Sequence, residues 1–360
     1  MKKTLPVEIN AKLKIECWTY YKMAVIQTLP DYMRWLSSHM KVVGGVFGKA
    51  VYFGEQKPHP PGYFSDILTI EEIDLFSVSP GSIAKRIIRE IDDGWYYVVF
   101  LRDGDNDSHE AFIYGYDDTE EVFYTISFNN ELQFYANTIS FAQLENGYRT
   151  DYEYYINNPQ DYYSKFDFGY VMSRIKPTDK YIRKNYAIEY FDKLSYERYA
   201  TRLDLNYIDQ YDVFYSTKTY YTGILCLAYV RNKIQKMIDS DDERTDEKLV
   251  ILRKNIYKLY EHRSLIYDSM KWYENVWQVS DAELLSMAEQ YGEACKSMNL
   301  ICKMLLKYLY TGNIRILKAL PEKLTEQCDM EASVLSKYVE GIRGWYMHHV
   351  LPKLLENNYN

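Results

Sequence analysis

Apolar residues in the first half of the chain fall in short runs separated by polar turns. In the second half they recur at the three-to-four-residue spacing of helices. The strand signal is clearest between Trp95 and Asn130. Trp95–Arg102 is a continuous apolar and aromatic run, followed by the polar loop Asp103–Ser108. A second strand runs from His109 to Tyr116, then a tight turn at Asp117–Glu121 and a third strand at Val122–Phe128. β-Branched and aromatic runs bounded by turn residues predict paired strands. Upstream, residues 1–16 read as extended, with Leu13 and Ile15 alternating with polar neighbours. From Cys17 the period becomes helical. Trp18, Tyr21, Val25 and Leu29 share a stripe with Ala24 alongside, and Pro30 ends the run.

Residues 41–64, rich in glycine and proline, read as loop and short strand. They hold no GxxxxGK[ST] pattern, so a phosphate-cradling loop is not expected. Pro80–Ile91 reads as a helix with Ser79 as its N-cap and Pro80 at the first helical position. Thr138–Tyr148 reads as a short β piece running into one helical turn. Residues 150–180 are polar, and from about Lys184 long helical periods take over, at Asp212–Ile238, Thr245–Val276, Ala282–Tyr310 and Ile314–Gly341. The acidic stretch Ser240–Glu247 links the first two. Ser280–Glu283 reads as a capping box, and Gly312 as a helix stop. Long amphipathic helices with short connections predict an antiparallel bundle. The expected architecture is α+β, with an N-terminal domain over 1–175 and a helical-bundle domain over 184–360.

Composition narrows the function classes. A net charge of −8 and a pI near 5.4 argue against a nucleic-acid partner, which calls for a basic stripe. The longest uncharged apolar run, around Tyr220–Val230, is too short to cross a bilayer, and the basic start is not followed by the apolar segment of a signal peptide. Five cysteines, odd in number and without CxxC spacing, suggest neither a disulfide framework nor a zinc site. A cytoplasmic protein without a membrane or metal partner is expected. The 39 tyrosines read as compositional bias. Asp105, Asp107, Asp117 and Asp118 lack the DxDxDG calcium pattern and read as solvated turns.

Two residues stand where chemistry is feasible. Cys17 opens a helix, where unpaired N–H groups and the positive end of the dipole favour a thiolate. His109 opens a strand, held rigidly with one ring edge accessible. A thiolate–imidazole pair needs no sequence proximity, only a fold that apposes a helix start with a strand start. The other cysteines, Cys226, Cys295, Cys302 and Cys328, fall within helical periods and read as packing residues. His262, His348 and His349 lack HExxH spacing and read as surface or capping histidines.

The segment HEAFIYGY, His109–Tyr116, with Asp117–Asp118, a following strand and ISFAQLENGY, Ile139–Tyr148, resembles the papain-like, C39-type peptidase fold. More closely it resembles the family typified by the N-terminal part of the butirosin biosynthesis acyltransferase. Members of that family carry a cysteine-led helix near the start, as CWTYYKMAVIQTL does from Cys17, and a histidine-led strand ending in a YGYDD-like turn. LYEHRSLIYDSMKWYENV, Leu259–Val276, is similar to the helical tail of relatives from peptide-antibiotic gene clusters.

The resemblance implies ping-pong amide formation by a cysteine acyltransferase of natural-product biosynthesis. An acyl/peptidyl carrier protein delivers the acyl group on its phosphopantetheine arm, with no other cofactor, and a small amine accepts it. On this carry-over Cys17 is the nucleophile and His109 the base. The family expects an aspartate near Ser127. Ser127, Asn129 and Asn130 are the polar residues present, and Asn129, which shares strand parity with Ser127, is the preferred orienting group. Relatives place a glutamine six positions before the cysteine. Ala11 stands there, so either the adjacent Asn10 or the Cys17 backbone N–H is the expected oxyanion donor. Two alternatives use the same residues differently: a cysteine peptidase or amidohydrolase removing a leader or acyl protecting group, and a non-catalytic binding protein that keeps a degenerate papain-like fold.

Overall fold

The apolar and aromatic runs along Trp95–Phe128 become an antiparallel meander in the computed structural model, which describes residues 1–14, 17–46, 50–53, 62–102, 109–128, 134–161, 172–198 and 221–358. The first elements are β1 Lys2–Thr4, α1 Cys17–Ile26, α2 Met33–Leu36, β2 Val42–Val46, β3 Ala50–Phe53, β4 Leu68–Ile73 and α3 Ile83–Asp92. The meander follows, with β5 Tyr96–Leu101, β6 His109–Asp117, β7 Val122–Phe128 and β8 Phe134–Ser140, then α4 Phe141–Asn157 and β9 Met172–Pro177. Next come α5 Ala187–Arg198, β10 Tyr221–Thr222 and the long helices α6 Leu225–Asp239, α7 Asp246–Val276, α8 Ala282–Thr311 and α9 Ile314–Trp345. A final helix, α10, spans Leu351–Asn358. The expected α+β class holds at this level: an antiparallel sheet region followed by long helices packed together.

The chain divides into two compact units, Met1–Tyr32 with Lys57–Lys184, and Met33–Gln56 with Asn185–Asn360. In the first unit the sheet order is β4-β9-β5-β6-β7-β8, with β1 also paired to β6. The register pins the strands tightly, as in Tyr97↔Ile113, Leu101↔His109 and Phe112↔Ile126. One face, with Tyr97, Val99, Ile113 and Phe123, packs on Ile83 and Ile87 of α3 and on Leu144 and Tyr148 of α4. The other face lies under α1. Tyr21 stacks on Phe112 with ring centroids 5.1 Å apart, and Tyr20 stacks on Phe134 at 3.6 Å. Gly115 explains one residue of the YGYDD turn. A Cβ there would lie 2.6 Å from the Lys3 carbonyl oxygen, so the pairing of Thr4 with position 115, next to the register shift of β6, leaves no room for a side chain.

The second unit carries α5 to α10 together with α2 and the β2–β3 hairpin, a segment that a division at 175/184 leaves with the sheet. Long-range bonds bind the hairpin there. β10 pairs with β2, the Val51 N–H donates to Asn255 Oδ1 (2.8 Å), and Lys258 Nζ donates to the Val51 carbonyl (2.6 Å). Nothing periodic in the sequence announces such partners. α8 starts from Asp281, whose carboxylate accepts the N–H groups of Glu283 and Leu284, rather than from a capping box at Ser280. Gly312 ends that helix in the left-handed region (φ +63°), its N–H bonded to the Tyr308 carbonyl at 2.8 Å.

Three further expectations change. The single turn expected after Thr138 is a 17-residue helix, α4, opened by a capping box between Ser140 and Gln143. Its abundant tyrosines hide the amphipathic stripe, yet Tyr148 and Tyr155 are buried. The helix expected from Asp212 begins at Leu225, after a two-residue strand at Tyr221–Thr222; residues 212–220 lie outside the described residues. Ser79 precedes a 3-10 turn, Pro80–Ser82, and its hydroxyl meets the Ser82 hydroxyl instead of capping α3. No helix among the described residues is long and apolar enough to cross a membrane.

Candidate active site

Cys17 is the first residue of α1 and His109 the first residue of β6, both in the sheet unit. Both are described as backbone positions only. Tyr21 relates them. Four residues after Cys17, it shares the same helical stripe about 6 Å along the axis. Its ring covers Phe112 and its hydroxyl donates to the carbonyl of Glu110, 3.4 Å away, with Tyr21 2% exposed. Glu110 follows His109 directly. The first turn of α1 and the first residues of β6 therefore lie at one end of the same layer.

Strand alternation adds a second geometric fact. His109 pairs with Leu101, and Leu101 lies against α4, where a Cβ on Gly147 would come within 3.2 Å of the Leu101 Cβ. Ala111 and Ile113 also pack toward α3 and α4, whereas Phe112 faces α1.

The other expected site residues are placed less favourably. Ser127 pairs with Tyr135, and its hydroxyl accepts from Asn137 Nδ2 at 3.3 Å. Asn129 and Asn130 lie outside the described residues. Asn10 is exposed in a turn, its backbone N–H donating to Glu8 Oε1 at 2.8 Å. That turn is tied to the second half of α1. The Glu8 N–H donates to the Ala24 carbonyl (2.8 Å), and the Lys12 N–H to Gln27 Oε1 (3.1 Å). Asn10 thus sits beside the far end of the helix from Cys17, and Ala11 is fully buried. Of the two donors considered for an oxyanion, only the Cys17 N–H belongs to the helix start.

The remaining cysteines behave as packing residues. Cys226, Cys295 and Cys302 are buried and Cys328 half-buried, all four as free thiols. Burial pushes the Cys226 and Cys328 thiols up, and Cys302 to about 12, so none is a thiolate near neutral pH. Among the described residues no group of three or more His, Cys, Asp or Glu side chains is arranged to hold a metal ion.

Two of the polar readings need correcting. Asp117 is 8% exposed rather than solvated. Its carboxylate accepts the Thr119 N–H at 3.0 Å and the Glu120 N–H at 3.4 Å and faces Lys2, bracing the turn after β6. His262 is fully buried, with Nε2 3.0 Å from the Met40 carbonyl. It belongs to neither surface nor cap, while His348 and His349 are exposed as expected. An ion pair that no local pattern signals lies where β5 ends. Arg102 Nε donates to the buried Asp151 of α4 at 3.1 Å, and its guanidinium lies over the Tyr154 ring. Their separation along the chain hides it from any periodicity.

No protein-family model matches the chain, and no curated protein sequence matches it either.

Proposed function

We propose that the protein is a cysteine-dependent acyltransferase with a papain-like sheet unit, in which Cys17 attacks an acyl thioester on a carrier-protein phosphopantetheine arm and His109 moves the proton. The thioester oxygen collapses back onto carbon and expels the pantetheine thiol, leaving an acyl-Cys17 thioester. An amine then attacks that carbonyl, His109 takes its proton, and the Cys17 thiol departs with the amide formed. Donor and acyl-enzyme are both thioesters, so the transfer needs no ATP. The observation that supports this reading most is the Tyr21 bridge, which ties the helix that Cys17 opens to the strand that His109 opens. The four other cysteines are all buried or half-buried, and Cys226, which also stands in the first turn of a helix, is fully buried with its thiol pushed up by that burial. A carrier protein and a small amine in the cytoplasm are the partners of this proposal.

A second reading, a binding protein without catalysis, rests on one observation. Ser127 stands where the family expects an aspartate, and its hydroxyl accepts from Asn137 Nδ2 at 3.3 Å. Intact-protein mass spectrometry with a panel of acyl-pantetheine thioesters separates the readings. An adduct lost in Cys17→Ala and resolved by amines to amides supports acyl transfer. An adduct resolved only by water makes the protein a hydrolase. No adduct across the panel, with Cys17→Ala indistinguishable from wild type, supports the binding protein.

A further inference from the structure

Three elements of the helical unit enclose charged side chains that a purely apolar core would exclude. Lys193 and Glu197, one turn apart on α5, are 0% and 1% exposed; His262 and Arg263 on α7 are both 0%, and Glu331 on α9 is 1%. Arg263 and Glu331 are matched to each other. Arg263 Nε lies 3.2 and 3.3 Å from the two Glu331 oxygens, and Gln327 Nε2 donates to the same carboxylate at 2.7 Å. Arg263 also donates to the Gly223 carbonyl at 3.2 Å.

Lys193, Glu197 and His262 are not matched in this way. The charges of Arg263 and Lys193 and the His262 ring act electrostatically on the Glu197 carboxylate and favour its ionised form against burial. Its contact is with His262 Nε2, at 3.3 Å. That same nitrogen faces the Met40 carbonyl at 3.0 Å. The Met40 carbonyl fixes the proton on Nε2, while Nδ1 and both Glu197 oxygens make no hydrogen bond among the described residues, so the ring is the neutral Nε2–H tautomer. Lys193 Nζ makes no hydrogen bond among the described residues. An ammonium buried without acceptors is strongly disfavoured. Burial pushes Lys193 down to about 7, with Glu197 opposing the shift and Lys41, of like charge, adding to it. Burial likewise keeps the His262 pKa below its ordinary value, against the pull of Glu197.

We propose that Lys193, Glu197 and His262 form a proton switch inside the helical unit. While Lys193 is a neutral amine, the Glu197 carboxylate lies against His262, 3.3 Å from Nε2, without a hydrogen bond of its own among the described residues. A proton taken from solvent onto Nζ creates an ammonium one helical turn from Glu197. That ammonium takes the carboxylate, and His262 keeps only the Met40 carbonyl. No covalent bond to carbon changes. Arg263 stays with Glu331, and Lys41 opposes the charged state.

The sign of the pH dependence follows. With the folded pKa near 7 and the ordinary value of 10.5, the unfolded chain carries a proton in this window that the folded chain lacks. Stability contributed here therefore rises as pH rises from about 7 to about 10, and the penalty is complete below 7.

NMR of 13Cε-lysine-labelled full-length protein should show one lysine titrating near neutrality. Lysines that all remain charged to pH 9.5 overturn the proposal without recourse to any variant. In 15N-histidine-labelled protein, the His262 ring signals, assigned by their loss in His262→Gln, should shift with the same midpoint while staying neutral. Lys193→Met should abolish that shift. His262 signals that do not change between pH 6.5 and 9, or a shift that persists in Lys193→Met, overturn it.

Discussion

At the residue scale, local sequence reveals where a chain can place reactive groups but not which neighbours they meet. Cys17 opening a helix and His109 opening a strand follow from local periods and need no tertiary information. Asn10 shows the limit. Its place beside the far end of α1 is set by hydrogen bonds from Glu8 to Ala24 and from Lys12 to Gln27, which no spacing rule contains. His262 was illegible for a related reason: flanked by Glu261 and Arg263, it resembles a solvated helix face, yet its partners come from α5 and the Met40 carbonyl. Tyr21 gives the sharpest residue-level prediction. Tyr21→Phe keeps the stack on Phe112 and loses the bond to Glu110, at a cost of about 0.5–1 kcal/mol in urea unfolding. Tyr21→Ala loses the ring as well and costs about 3–5 kcal/mol.

At the element scale, the meander of β5 to β7 is where hydrophobic patterning and structure agree best, because apolar and aromatic runs bounded by polar turns mark strands covered on both faces. The β2–β3 hairpin joins the helical unit because its partners, β10 and α7, lie far along the chain. Two glycines test how tightly elements are fitted. Gly223 has φ +52°, and a Cβ there would lie 2.5 Å from the Glu197 carbonyl oxygen. Gly223→Ala should destabilise the protein by about 2–3 kcal/mol in chemical denaturation. Gly81→Ala, where nothing lies within 4 Å of the new methyl group, is the control and should be close to neutral.

At the scale of the whole molecule, the tyrosines that read as compositional bias are also core material. Burial holds the hydroxyls of Tyr190, Tyr291 and Tyr338 protonated well above the ordinary tyrosine range. The unfolded chain loses these protons above pH 10 while the folded chain keeps them, so stability falls with further alkalinity. Together with Lys193 this predicts a stability maximum between about pH 9 and 10, read from urea midpoints across pH. A maximum at pH 6–7 with a monotonic alkaline decline would contradict it.

The central claim, that Cys17 is a thiolate activated by a helix start and by His109, is tested most directly by iodoacetamide alkylation of Cys17 as a function of pH, followed by peptide mapping. An ordinary thiol titrates near 8.5. The account predicts a Cys17 midpoint clearly below that value in the wild type, moving up in His109→Ala. A Cys17 midpoint near 8.5 that His109→Ala leaves unchanged would contradict it.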